Sequence, residues 1–152
     1  MFEPISLYPQ LHMMIMHFPI ALFIVGFCFE IISYILNSNK LNDYAFYNMG
    51  LGILFGIFSI ITGLLADWYV NNGEWSIGEG FVSDELFLNF RILSNHGIYM
   101  ILCIALFSII FCIKFKNKSN YQLNRTTEII LFVLQSVCIL LLIYGSHLGT
   151  FL

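Results

Sequence analysis

The chain has four histidines, His12, His17, His96 and His147, and each stands at the edge of a long apolar run. His12 and His17 precede the first run, His96 opens the third, His147 closes the fourth, and Asp67 closes the second. Neutral imidazoles are common ligands of metals and of haem iron, and a nearby carboxylate orients them or shares the metal. If the runs are successive antiparallel helices, all five groups meet at one end. A single histidine near a membrane surface is ordinarily a hydrogen-bonded structural residue. Four at one end and none at the other point to a bound group.

The elements that must position these residues follow from composition. Hydrophobic residues make up 59% of the 152-residue chain, charged ones only 10%, and mean hydropathy is +0.86. Soluble domains carry about 25% charged residues. The expectation is therefore an all-α integral membrane protein, an antiparallel four-helix bundle forming one domain over residues 1–152. About 20 residues span a bilayer, and four such runs are expected at about 17–36, 48–70, 95–113 and 127–148.

The connections complete this picture. Residues 1–16, with Pro4 and Pro9, form an entrance segment that suits the interface, and the lack of a basic N-terminal region reads as mature sequence. Pro19 sits in the first turn of the first span, or, if the helix begins near Pro9, frees the carbonyl of Ile15. Residues 37–47 read as a polar turn. Residues 69–94 form the longest connection, with room for a short amphipathic helix capped by Ser83 and lying over the bundle end. Trp68, Tyr69 and Trp75 suit an interfacial aromatic belt.

Lys40, Lys114, Lys116, Lys118 and Arg125 fall at one end of the bundle and only Arg91 at the other. The positive end is expected to be cytoplasmic, or on the matrix side in an organelle. Both termini and all four histidines then face the periplasm or intermembrane space. Net charge is −3 and the cations are dispersed, which excludes a nucleic-acid-binding face. Cys28, Cys103, Cys112 and Cys138 form no Cys-x-x-Cys pair, so covalent haem and thiolate zinc are not expected, and the thiols read as small buried apolar groups.

Three features lie within the spans. Gly52, Gly56, Ser59, Gly63 and Ala66 fall on a narrow arc of the second helix that leads to Asp67. Such a stripe gives either close helix packing or, around Gly56 and Gly63, room for a flat cofactor. Glu30 lies about two thirds of the way along the first span, where an ionisable group is costly. It is either a paired structural acid or part of a proton relay or quinone contact; Lys114 could approach it, though the sequence does not show that.

Haem b suits the constellation best, as one haem or two, because a planar apolar macrocycle fits between bundle helices and imidazoles hold its iron. His17 and His96 are the first choice of axial pair, with His12 and His147 as a second pair or as propionate contacts. Arg91, five positions before His96, is the candidate propionate partner, and Asp67 is the carboxylate that with the histidines would instead suit zinc or non-haem iron. Copper is the alternative, because Met13, Met14 and Met16 interleave with His12 and His17 and thioethers favour its reduced state. A cofactor-free bundle is the third reading.

The sequence also resembles a family of small bacterial predicted membrane proteins with four spans. The resemblance rests on His12 with His17-Phe18-Pro19-Ile20, Glu30, Gly63-Leu64-Leu65-Ala66-Asp67-Trp68, His96-Gly97 and Gly145-Ser146-His147-Leu148. Met13 departs from the family's proline after the first histidine, which weakens the carry-over to His12 more than to His17. Relatives resembling this domain occur fused to cytochrome c-like modules, which implies redox work.

Two functional expectations stand. One is a membrane electron carrier that partners other subunits of a larger redox complex or a cytochrome c-like donor or acceptor, and is not an enzyme by itself. The other is a structural or assembly subunit.

Overall fold

The structure is a computed structural model that describes residues 7–70, 96–118 and 124–148. Four helices account for almost all of them: α1 Leu7–Leu36, α2 Asn39–Val70, α3 His96–Lys118 and α4 Arg125–Leu148. Each is long and apolar enough to cross a membrane, with apolar stretches Leu11–Leu36, Asn39–Ala66, Gly97–Asn117 and Arg125–His147. The expected all-helical membrane bundle is what the chain forms.

Two boundaries differ from the sequence reading. The first helix begins at Leu7, not His17, and passes through Pro19. Pro19 has no N–H for the Ile15 carbonyl, but its ring is buried against α2, so packing outweighs the missing bond. The second helix begins at Asn39, so most of the expected polar turn 37–47 is helical. Only Asn37 and Ser38 separate α1 from α2. Asn37 takes a left-handed conformation, φ 49°, while the Ser38 amide donates to the Ser33 carbonyl at 3.1 Å and the Ser33 hydroxyl to the Ser38 carbonyl at 3.0 Å. This is a Schellman-type stop, for which asparagine is second only to glycine.

The connection 71–95, with its expected amphipathic helix, Trp75 and Arg91, lies outside the described residues.

Packing shows that neighbouring helices alternate in direction. Between α2 and α3, Phe46 stacks on Phe111 with centroids 4.6 Å apart, while Gly56, further along α2, lies against the earlier Ile104. Between α3 and α4, Tyr99 meets Tyr144 edge-on at 5.4 Å, and the Cys103 thiol donates to the Cys138 carbonyl at 3.6 Å. The core comprises Phe23, Met49, Cys103, Phe107, Ile110, Leu131, Cys138, Ile139 and Leu142. At its centre Phe23 of α1 stacks on Phe107 of α3, centroids 3.9 Å apart and planes within 6°.

Most of the apolar surface faces outward. Ile35 is 74% exposed, Leu140 67% and Phe115 64%. A water-soluble monomer rarely shows such patches, whereas lipid tails solvate them. Cys28 and Cys112 are exposed on this outer face, in contrast to the expectation of four buried thiols, and all four cysteines are free.

Candidate functional site

The glycine stripe of α2 is filled by protein. A Cβ built on Gly52 would lie 2.8 Å from Cε1 of Phe23, and one on Gly56 would lie 2.6 Å from Cδ1 of Ile104. On Gly63 it would lie 2.9 Å from Cε1 of His12. Two of the three notches admit apolar side chains of α1 and α3, which is the close-packing reading of the stripe. No slot for a macrocycle runs along Gly52 and Gly56. The third notch, nearest the end of α2, admits an imidazole.

His12 is half-buried there, with Nδ1 3.3 Å from the Thr62 hydroxyl oxygen. The Thr62 hydroxyl points its own proton at the carbonyls of Phe58 and Ser59, each 3.1 Å away. A hydroxyl so engaged can accept from His12 Nδ1–H, and in that tautomer the lone pair resides on Nε2. Fixing one ring nitrogen by a hydrogen bond so that the other can ligate is the usual arrangement around metal-binding histidines.

His17 behaves differently. Five residues further along α1, it is rotated by about 140° from His12. It is exposed, and its Nδ1 donates to the Met13 carbonyl on the same helix at 2.5 Å. Met13 and Met14 are exposed too, at 58% and 69%. The two histidines of α1 thus serve opposite faces, one toward α2 and one outward.

His96 begins α3 and His147 stands in the last turn of α4, exposed. Antiparallel packing brings both to the same end of the bundle as His12 and the end of α2. The side chains of His96 and Asp67, and all of Arg91, lie outside what the structure describes. Among the described residues no group of three or more His, Cys, Asp or Glu side chains is arranged around a metal-sized point.

The opposite end holds a polar centre that sequence reasoning half found. Glu30 is 4% exposed, and its Oε1 accepts from the Lys114 ammonium at 2.5 Å. Lys114 also donates to Gln135 Oε1 at 3.1 Å, so one ammonium ties α1, α3 and α4 together. Gln135 is buried at 1% exposure and went unremarked. The signal that would have found it is a neutral amide inside an apolar run, where its hydrogen bonds must be met by a neighbouring helix.

Residues 9–152 match the model of the family described as Predicted membrane protein (DUF2231). The chain belongs to this family. It matches no curated protein and no solved structure. Family membership makes it a membrane protein in contact with a lipid bilayer, in keeping with the four apolar helices and their exposed faces.

Proposed function

We propose that this DUF2231 protein is a membrane-embedded haem b-binding electron carrier, a small subunit or partner of a larger redox complex. The observation that carries the reading is the His12–Thr62 contact. It holds an imidazole against α2, with Nδ1 3.3 Å from the Thr62 hydroxyl, at the end where α3 begins with His96 and α4 closes with His147.

The fit is local. Haem would have no room along Gly52 and Gly56, so the residues that would hold it are those at the bundle end, His12 among them. His12, not His17, would hold the group from α1, because His17 faces outward and a group held between helices needs inward ligands. His96 on α3 is the partner ligand by position, with His147, Asp67 and Arg91 as hydrogen-bonding or propionate contacts. Haem held there would supply one-electron chemistry. The chain's own part is to fix ring tautomers, exclude water and set the field around the iron.

Copper draws less support, because Met13 and Met14 lie on the outward side of α1, away from His12. The excess of lysine and arginine at the opposite end supports a cytoplasmic or matrix placement for that end, with the histidines across the membrane.

The deciding experiment is a dithionite-reduced minus oxidised spectrum of the purified protein, with a pyridine haemochrome assay on the same sample. A sharp reduced α-band with a haem b haemochrome is expected. A featureless spectrum from folded, membrane-derived protein would leave a cofactor-free structural or assembly subunit as the reading, with metal analysis to judge copper.

A further inference from the structure

The polar centre at the lysine-rich end has a feature that an ion pair alone does not explain. Glu30 Oε1 faces Lys114, but Oε2 is sealed from solvent and meets no hydrogen-bond partner among the described residues. An ionised carboxylate offers about four lone-pair positions, and leaving one oxygen bare in a buried setting is unfavourable. Something is expected to bind there.

Next to it lies a cavity of about 390 Å³, and Glu30 and Lys114 are both part of its wall. The rest of the wall is largely polar and includes Ser33 and Tyr34 of α1, Asp43 of α2, Asn117 of α3 and Glu128 of α4. The cavity is partly open, at the end where Asn37 and Ser38 join α1 to α2. It is a vestibule with Glu30 in its wall.

The occupant is narrowed by chemistry. A hard metal ion needs a shell of about six oxygens. Oε2 has none within hydrogen-bonding distance among the described residues, and the Lys114 ammonium stands on the same carboxylate. A proton needs only the one oxygen. Besides Lys114, the charged groups that share this wall are Asp43 of α2 and Glu128 of α4. Tyr34 adds a neutral phenol. Gln135 gives Lys114 a second anchor, so the ammonium keeps a partner when Glu30 becomes neutral.

We propose that Glu30 is a proton-binding site that exchanges with water at the lysine-rich end through this vestibule, with Lys114 and Gln135 as its positioning residues. Loading forms an O–H bond on the carboxylate of Glu30, which stands in the vestibule wall, with a proton taken from hydronium there, leaving water behind; unloading reverses it. The charge of the pair moves from zero to +1 and back. No electron moves, and the assignment stands independently of any haem.

Infrared difference spectroscopy of the full chain in lipid nanodiscs, stepped from neutral to acidic buffer, tests this directly. The expected result is a carbonyl-stretch band of a protonated carboxylic acid that grows on acidification. It should shift with ¹³C-glutamate labelling and with exchange into D2O, survive in Glu128→Gln, and be lost from the glutamate-labelled set in Glu30→Asp. The labelling arms use the unmodified protein, so they stand even if a variant folds poorly. No labelled band over the pH range in which the protein stays folded, or a labelled band that persists in Glu30→Asp, overturns the assignment.

Discussion

The imidazole of His12 occupies the notch that Gly63 leaves in α2, so close that a methyl group on Gly63 would stand 2.9 Å from the ring's Cε1. The contact couples the small-residue stripe to the candidate ligand. Gly63→Ala is expected to push the ring out and break its bond to Thr62, since the clash falls on a planar ring. If His12 holds haem, the variant should lose most of the α-band while keeping its helical circular dichroism. An unaltered spectrum would show that His12 does not carry the chromophore.

The glycines further down the stripe should respond unequally to the same methyl group. At Gly52 it meets Cδ1 and Cε1 of Phe23, a ring buried to 1% exposure and stacked on Phe107. That ring has nowhere to go, and overpacking of this kind costs about 1–3 kcal/mol. At Gly56 the nearest atom is the terminal Cδ1 of Ile104, which can rotate aside, and the helix gains up to about 1 kcal/mol from losing a glycine. Gly52→Ala should unfold at a clearly lower temperature than the parent in detergent, with Gly56→Ala close to it; the reverse order would show that Phe23 is not pinned.

The Glu30–Lys114 pair should behave as a unit. Removing one partner of a buried pair leaves an uncompensated charge and typically costs about 3–5 kcal/mol. Lys114→Met alone is expected to be strongly destabilising, whereas Lys114→Met with Glu30→Gln should recover at least about 1 kcal/mol of the loss. A double-mutant cycle on unfolding in detergent reads the difference. Additive losses would mean that the contact contributes little.

These relationships show which parts of the molecule are legible in the sequence. The four spans are, because about 20 consecutive apolar residues admit few other structures. Their ends are less so. Residues 39–48 are rich in Asn and Asp and look like a turn, yet they are helical because α2 already packs on α1 there: Gly26 lies against Ala45 and Asn48. The convergence of histidines at one end follows from counting spans, but the rotation of each helix about its axis does not. That rotation turns His12 inward and His17 outward, and it brings Lys114 onto Glu30 across 84 positions of sequence. Gln135 entered only with the structure, since a lone amide in an apolar run carries no motif.

The α1–α2 junction offers a check on local geometry. Asn37 holds φ 49°, a conformation that costs most residues about 1–2 kcal/mol and β-branched ones more. Asn37→Gly should leave thermal stability near that of the parent, while Asn37→Val should lower it measurably. Equal stability of the two would place the chain reversal under the control of helix packing and not of this residue.

Thr62 is the residue through which the candidate ligand can be tuned without being touched. Its hydroxyl oxygen lies 3.3 Å from His12 Nδ1 and 3.1 Å from the carbonyls of Phe58 and Ser59, and when it donates to a carbonyl it can accept from Nδ1–H and leave the ring's lone pair on Nε2. Thr62→Val keeps the shape and removes the acceptor. Loss of such an outer partner typically costs 10–100-fold in affinity for the bound group. If His12 holds haem, the variant is expected to retain its fold and a chromophore of the same type, with weaker haem retention on dilution and a shifted midpoint potential. Thr62→Ser, which keeps the hydroxyl, should restore both. If Thr62→Val matches the parent in retention and potential, the His12–Thr62 contact is packing alone and the axial ligand lies elsewhere, with His96 the next to test.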